Sequence, residues 1–394
     1  MAFDFTYYAP TKVVFGRSAV DKLGGLVAAQ NCKKVLVHYG GRSAKASGLL
    51  DRVTESLKAA GLEFVTLGGV VPNPRLSLVH EGIELCRREQ VDFILAVGGG
   101  SVIDSSKAIA YGTAEDGEVW ELFEKKRKPG ACLPVGVVLT IAAAGSEMSN
   151  SCVISNQDTG VKASVANDMS RPKFAVMDPE ITTSLPPWQT ASGCVDIMMH
   201  TLERYFTNGG NMELTDEIAE GLLRTVMRNA RILVKDPDNY EARAEIMWAG
   251  SLSHNGLTGC GNDGGDFCCH TIEHQLSAKY DVTHGAGLAA IWCSWARYVY
   301  KDCLPRFVKF ALNVTKVEPG AGDEETALKG IDEMENFFRE IDMPVSISGL
   351  LGRDVTDEEL EELGAMAARA CGGHRGSAKV LYQEDMTKIY YMAR

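Results

Sequence analysis

The chain changes its hydrophobic rhythm once. In the first half short apolar runs alternate with amphipathic stretches; in the second, apolar positions recur at helical spacing alone. Residues 33–39, 62–67, 93–97, 133–140 and 175–177 are runs of Val, Leu, Ile and Phe too short for helices, and they read as strands. Between them, residues 18–28, 49–60 and 76–89 repeat apolar positions three and four apart, as one face of a helix does, with Ser18 as N-cap of the first and Gly61 ending the second. Strand and helix alternating on this scale predict a mostly parallel sheet covered on both faces. Residues 1–15 alternate loosely and predict short strands around a turn at Ala9-Pro10. From Trp188 onward strand patterns stop, and 216–233, 240–253, 288–300, 324–341 and 356–370 are the clearest helices. The boundary falls near Leu185-Pro186-Pro187. The expected architecture is an α/β dinucleotide-binding type of domain over residues 1–185 and an all-helical domain over 186–394.

Composition narrows the class. In 394 residues, 45% hydrophobic and 23% charged content supplies ample core for two globular domains. A net charge of -12 argues against nucleic acid or an anionic membrane as partner. The first residues lack the basic and apolar regions of a signal peptide, and no run has the length of a membrane span, so a cytoplasmic protein is expected. Eleven scattered cysteines with no CxxC fit reduced, buried thiols.

Candidate chemistry lies in two places. Of eight histidines, three fall in one window: His270 and His274, spaced i, i+4 on one helix face, and His284, which follows a break at residues 280–283 and opens the next helix. Asp196 and His200 form a second i, i+4 pair. Imidazoles with one carboxylate suit zinc, iron and their neighbours in a working site; which of these five side chains bind, spacing leaves open. Cys268 and Cys269 point about 100° apart on a helix, so at most one could join, and packing is the favoured reading.

The second place is Gly98-Gly99-Gly100-Ser101-Val102-Ile103-Asp104, where a strand hands over to a helix. Glycines there let backbone approach a pyrophosphate at a helix N-terminus, with Ser101 and Asp104 at capping-box spacing; the competing reading is a plain turn. Ile103 stands where the GxGxxG fingerprint needs glycine. After residues 33–39, Gly40-Gly41 followed by Arg42, Ser43 and Lys45 occupies the place where NAD-binding units often carry an acid. That basic loop favours the 2′-phosphate of NADP(H), with NAD(H) as the other possibility and an exposed structural loop as the competitor.

Together these residues resemble the iron-dependent (group III) alcohol dehydrogenases over nearly the whole chain. The resemblance runs through Val71-Pro72-Asn73-Pro74-Arg75, the Gly98–Asp104 loop, Thr140 to Glu147, Asp178-Pro179, Asp196 with His200, and His270, His274 and His284. The Tyr39-Gly40-Gly41-x-Ser43-x-Lys45 loop resembles the branch of NADPH-dependent butanol dehydrogenases and broad aldehyde reductases. The resemblance implies catalysis in a cleft between a dinucleotide domain and a helical metal domain. It implies Asp196, His200, His270 and His284 as ligands of Fe(II) or Zn(II), with His274 near nicotinamide and substrate as proton relay or wall. Implied cofactor contacts are Asn73, Gly98, Gly99, Gly100, Ser101, Asp104, Thr140, Ser149 and Lys162, besides Gly40, Gly41, Ser43 and Lys45. Ala144 departs from the Thr of many relatives. The implied reaction is reversible hydride transfer between NADP(H) and a primary alcohol or aldehyde, the metal polarising the substrate oxygen, in a homodimer.

Two other readings compete. His270-Thr271-Ile272-Glu273-His274 matches the HxxEH zinc-peptidase motif with Glu273 as general base. A sugar-phosphate cyclase on the same architecture would need basic residues for its substrate, and only Arg204 and Lys279 lie near the metal motifs. His254 is a further candidate pocket residue.

Overall fold

The computed structural model describes residues 2–41, 43–210 and 212–394; Arg42 of the expected basic loop lies outside them. The chain forms two compact units. One is Ala9–Ser184, and the other is Leu185–Arg394 joined by the stretch ending at Tyr8.

The strands of the first unit are β1 (Lys12–Phe15), β2 (Lys34–Gly40), β3 (Glu63–Val70), β4 (Phe93–Gly98), β5 (Val135–Leu139), β6 (Ser151–Asn156), β7 (Val161–Ala166) and β8 (Phe174–Met177). Its helices are α1 (Leu23–Ala28), α2 (Ser43–Ala46), α3 (Leu49–Ala59), α4 (Leu76–Glu89), α5 (Gly100–Ala114) and α6 (Trp120–Phe123). Six strands make a sheet in the order β1-β8-β5-β4-β2-β3, every pairing parallel, while β6 and β7 form a separate antiparallel hairpin.

Side-chain alternation explains why the runs in β2 and β4 are apolar throughout. Leu36 and Ile94 point into a core with Val79, Ile83 and Cys86 of α4 and Ile109 of α5. Their neighbours Val35, Val37, Phe93, Leu95 and Val97 point the other way, into a core with Val27 of α1 and Val53 and Leu57 of α3. Strands buried on both faces lose the polar positions that a one-faced strand would keep. From β2 the chain crosses to β3 on one side, then returns through α4 to β4 on the other. This reversal makes the carboxyl ends of β2 and β4 a topological switch point, where open α/β sheets bind ligands.

His38 is the one histidine inside β2, and it is fully buried. Its Nδ1 lies 2.9 Å from the Leu67 carbonyl, which can only accept, so Nδ1 carries the proton and Nε2 accepts from the Ser105 hydroxyl at 2.9 Å. Burial pushes its pKa down to about 4, against the bond to Leu67. Between there and the ordinary value near 6.5 the unfolded chain binds the extra proton, so this contribution is present above pH 6.5 and is lost as pH falls toward 4. A thermal-melting series should therefore show a shallower decline of Tm over that window in His38→Gln than in the wild type, because glutamine keeps both bonds without titrating. Parallel slopes would exclude His38 as the source.

The second unit holds α7 (Pro187–Tyr205), α8 (Glu213–Lys235), α9 (Tyr240–His254), α10 (Cys268–Tyr280), α11 (His284–Val299), α12 (Leu304–Phe310), α13 (Asp323–Glu340), α14 (Ile347–Leu351), α15 (Asp357–Ala370) and α16 (Gln383–Met392). A two-residue antiparallel ladder between His374–Arg375 and Leu381–Tyr382 is the only strand pairing described in it. Among the described residues no helix is long and apolar enough to cross a membrane.

Three local expectations are corrected. Residues 2–11 form no strand; the Phe3 amide bonds instead to the Gly261 carbonyl at 3.0 Å, which ties the start of the chain to the helical unit. Ser18 has a left-handed backbone and caps nothing with its side chain; a 3-10 turn, Ala19–Lys22, precedes α1. At α5 the N-cap is Gly99, two residues earlier than the Ser101–Asp104 box requires, and no side chain caps it.

Candidate functional site

In the α/β unit, the glycine loop ends β4 and starts α5 as expected. A Cβ on Gly99 would lie 2.1 Å from Ile141 Cγ2, and one on Gly98 would lie 2.4 Å from Val102 Cγ2, so both glycines are required by close packing. Gly100 meets only the Ala144 methyl, at 3.2 Å. With no side-chain cap, the dipole of α5 and the amides ahead of Val102, whose own N–H goes to the Gly99 carbonyl at 3.0 Å, stay available to an anion. Gly40 ends the neighbouring strand β2, and Ser43 and Lys45 lie in α2 just beyond, both exposed; the Lys45 ammonium sits 5.4 Å from the centre of the Tyr39 ring. Asn73 follows β3, Thr140 follows β5, and both stand at the same carboxyl edge of the sheet. Asn73 has a left-handed backbone, and its side-chain oxygen accepts from Lys162 Nζ at 3.0 Å.

Asp104 does not turn back to its own helix end. One carboxylate oxygen accepts from the Ser146 hydroxyl and the other from the Val153 amide at 2.9 Å. One turn on, Lys107 is fully buried and donates to the carbonyls of Ser146, Ser149 and Ser151 at 2.7, 3.0 and 2.8 Å. Burial lowers its pKa, and the Asp104 charge counters that. Sequence reading passed over Lys107; the signal was a lysine in the apolar run between Ser106 and Ile109, three residues after Asp104.

In the helical unit, α7 carries Asp196 and His200, α10 carries His270 and His274, and α11 begins at His284. The two i, i+4 pairs are helical, and the break before His284 is real. One ligand atom each from Asp196, His270 and His284 lie within 4.8 Å of one another. Nε2 of His270 and of His284 stand 3.9 and 3.8 Å from Asp196 Oδ1. Asp196 Oδ1 and His270 Nε2 are buried without a hydrogen-bond partner. Two such orphan acceptor atoms aimed at one point are costly unless a cation joins them.

The other ring nitrogens explain the aim. His270 Nδ1 donates to Glu203 Oε1 at 2.9 Å, and that oxygen also accepts the His270 amide at 2.8 Å. His284 Nδ1 donates to Glu273, whose other oxygen accepts from Ser277. His200 Nδ1 donates to the Asp196 carbonyl at 2.9 Å, so its passage 3.0 Å from Asp196 Oδ1 is side-on and leaves that oxygen unbonded. All three histidines thus hold the proton on Nδ1 and keep the Nε2 lone pair, the tautomer a metal ligand needs. His200 Nε2 is not among the converging atoms, although its ring centre is 4.6 Å from that of His270. Burial would raise the Asp196 pKa, but the facing rings of His200, His270 and His284 hold it well below the usual range. Burial would lower His270, but Asp196 and Glu203 carry it up to about 9. The negative field of Asp196 and Glu203 thus favours a cation at His270 Nε2, be it a proton or a metal ion in its place. The donor set fits a divalent transition metal.

His274 stands at the edge of this group, its ring centre 5.3 Å from that of His284. Glu273, His274 and His284 form an alternative triad of possible ligands. The engagement of Glu273 with the His284 Nδ1 proton makes the Asp196 set the better one, since it presents lone pairs with nothing else to accept. The same engagement removes Glu273, fully buried, from the role of base for a hydrolytic water. Arg204 donates to the His200 and Ser253 carbonyls and to His254 Nδ1, and Lys279 pairs with Glu362, so neither offers a free cation for a phosphorylated substrate. Glu203 and Glu273, which hold the rings of His270 and His284, are the side chains of the candidate site that sequence reading missed or misassigned. Glu203 is three residues after His200, and Glu273 three after His270, one helical turn in each case.

Comparison with known proteins points the same way. Residues 10–179 match the family described as iron-containing alcohol dehydrogenase, and residues 190–393 match the C-terminal part of the Fe-containing alcohol dehydrogenase family. The chain is 41% identical over 388 residues to NADH-dependent butanol dehydrogenase A of Clostridium acetobutylicum, covering 98% of each. It is 34% identical over 368 residues to the NADPH-dependent aldehyde reductase YqhD of Escherichia coli, covering 92% of this chain and 94% of that one. The crystal structure of NADH-dependent butanol dehydrogenase A from Thermotoga maritima superposes with a TM-score of 0.95 at 40% identity, covering 99% of this chain and 98% of that one.

Proposed function

The chain belongs to the iron-containing alcohol dehydrogenase family, as an oxidoreductase acting on CH–OH groups, and from that premise we propose that it transfers hydride reversibly between NADP(H) and a primary alcohol or aldehyde of the butanol type. Asp196, His200, His270 and His284 would hold Fe(II) or Zn(II). The observation that carries this reading is the shared tautomer: three histidines with Nδ1 tied to protein oxygens, two of them aiming Nε2 at the orphan carboxylate oxygen of Asp196. The metal, when bound, supplies Lewis-acid polarisation of the substrate oxygen, and the nicotinamide supplies or takes the hydride. Glu203 and Glu273 keep the rings fixed and electron-rich. His274, one turn from His270, is the residue proposed to pass the alcohol proton toward solvent.

In the other unit, the uncapped start of α5 and the Gly98–Ser101 backbone would receive the pyrophosphate, with Asn73, Asp104, Thr140, Ser149 and Lys162 around it. The relatives' names divide between NADH and NADPH. The proposal of NADP(H) therefore rests on this chain's own loop, where Gly40 and Gly41 leave the end of β2 without an acid and Ser43 and Lys45 offer donors.

Nicotinamide oxidation with butyraldehyde tests both parts, using metal-stripped protein reloaded separately with Fe(II) and Zn(II) and given NADPH or NADH. Metal-dependent turnover with the higher kcat/KM for NADPH is expected. Lys45→Ala should lower kcat/KM for NADPH by about tenfold, the scale of one charge-assisted hydrogen bond, and leave NADH nearly unchanged. A wild type that prefers NADH, or a Lys45 variant equally impaired with both, would remove the 2′-phosphate reading.

A further inference from the structure

Asp266 is a buried carboxylate that grips two separate stretches of the helical unit. One oxygen accepts the Cys268 amide at 3.0 Å, at the start of α10. The other accepts the amides of Ser377 and Ala378, at 2.7 and 2.9 Å, from the segment that follows the His374–Arg375 strand. That segment bends tightly around it. Gly376 has a φ of +118°, and a Cβ there would lie 2.2 Å from the Lys379 carbonyl and 3.2 Å from the Asp266 carboxylate. Arg375 adds a bond from Nε to the Asp266 carbonyl at 3.1 Å. Backbone amides from both stretches thus satisfy the buried carboxylate.

The stretch held in this way sets His270 against α7. The Asp266 amide donates to the Glu203 carbonyl at 2.7 Å. One turn on, the His270 amide and Nδ1 donate to the Glu203 carboxylate at 2.8 and 2.9 Å. Residues 266 and 270 are therefore both pinned to one residue of the helix that carries Asp196 and His200. Between them, Phe267 has a left-handed backbone with φ +55°, which a bulky residue keeps only where its surroundings impose it. Two guanidiniums stand over its ring, Arg204 at 4.9 Å and Arg375 at 5.7 Å from the ring centre.

We propose that Asp266 is a positioning residue of the metal site: by tying the Ser377 and Ala378 amides to the first turn of α10 it fixes the register of His270 against Asp196. This rests on the reading of Asp196, His270 and His284 as metal ligands. Both carboxylate oxygens are engaged, so an asparagine would turn its NH2 group toward a donor on one side and release either α10 or the C-terminal segment. Arg375 is exposed and acts on the same bend through the Asp266 carbonyl and the Phe267 ring, so its loss should move the site in the same direction and by less.

The test loads metal-stripped, full-length wild type, Asp266→Asn, Arg375→Ala and Phe337→Leu with Co(II), at a pH above the value of about 7 to which burial and the charge of Glu203 push Asp266. Phe337, buried in α13, serves as a packing variant of the same unit. Chelator competition reads Co(II) affinity, the visible Co(II) bands report ligand geometry, and thermal unfolding of the metal-free proteins reports stability. Asp266→Asn should bind Co(II) about tenfold more weakly and shift the bands. Arg375→Ala should bind it about threefold more weakly, with a smaller shift in the same direction. Phe337→Leu should lose stability and keep both affinity and bands. Should Asp266→Asn fail to fold, Arg375→Ala still decides: unchanged affinity and bands there overturn the proposal. Unshifted bands in a folded Asp266→Asn, or an equal loss of affinity in Phe337→Leu, also overturn it and leave Asp266 as scaffold. A wild type that binds no Co(II) would instead overturn the metal reading on which the proposal stands.

Discussion

Asp196→Ala should retain neither iron nor zinc at stoichiometric level after reloading and desalting, and its turnover with butyraldehyde should fall at least about a thousandfold, the scale of several kcal/mol of lost charge stabilisation. The reason is geometric. Asp196 Oδ1 is the point to which Nε2 of both His270 and His284 are directed, and it is the only anionic donor in that set. Without it only the imidazoles of His270 and His284 remain in that set, and the negative charge that draws a divalent cation to this point is gone. Alanine adds no new donor, and α7 tolerates it because its neighbours Val195 and Ile197 are buried independently of the carboxylate. Metal analysis beside circular dichroism separates loss of metal from loss of fold. A folded variant that keeps a full complement of metal and its activity would rule out Asp196 as a ligand and return the alternative triad of Glu273, His274 and His284 to consideration.

Glu203→Gln and Glu273→Gln should each weaken metal binding by about 10–100-fold, with the helical fold intact. Each glutamate accepts the Nδ1–H of one of the histidines proposed as ligands. A glutamine oxygen can accept the same bond, so the ring stays in place, but a neutral acceptor no longer raises the basicity of Nε2. Glu203 also accepts the His270 amide, so its loss loosens the first turn of α10 as well, and the larger effect is expected there. Competition with a chromogenic chelator measures both. Unchanged metal affinity in both variants would mean that these carboxylates serve packing alone. For Glu273 the same experiment separates the dehydrogenase from the peptidase reading, in which Glu273→Gln would abolish hydrolysis and spare the metal.

Much of this was legible in the chain. The spacing of His270 and His274 placed them on one helix face, and the break at residues 280–283 placed His284 at the head of the next helix; both follow from local geometry. The strands β2 and β4 were legible because they are apolar on both faces, and the glycine loop because it stands between a strand and a helix. The failures were equally local. Ser18 and the Ser101–Asp104 pair had the residue types of caps, yet the Ser18 amide bonds to Asp178, and the Asp104 carboxylate to Ser146 and Val153. Cap preference is worth only about 1 kcal/mol, so a distant partner easily outbids it. The alternation of Phe3, Phe5 and Tyr7 read as a strand, but a strand needs a neighbour to pair with, and the Phe3 amide found Gly261 instead.

Taken by itself, the sequence determined what depends on periodicity and short spacing: the α/β half and the helical half, the parallel character of the sheet, and the helices that carry each histidine. Those properties follow from the repeat of one helix or one strand and need no knowledge of what lies opposite. Tertiary structure alone decided which nitrogen of each histidine faces the cluster, because that depends on Glu203 meeting His270 and Glu273 meeting His284 across separate helices. It also decided that Lys107 is enclosed by the carbonyls of a remote loop. Backbone carbonyls are chemically the same in every residue and leave no mark in a sequence, so a site assembled from them becomes visible only once the chain has folded around it.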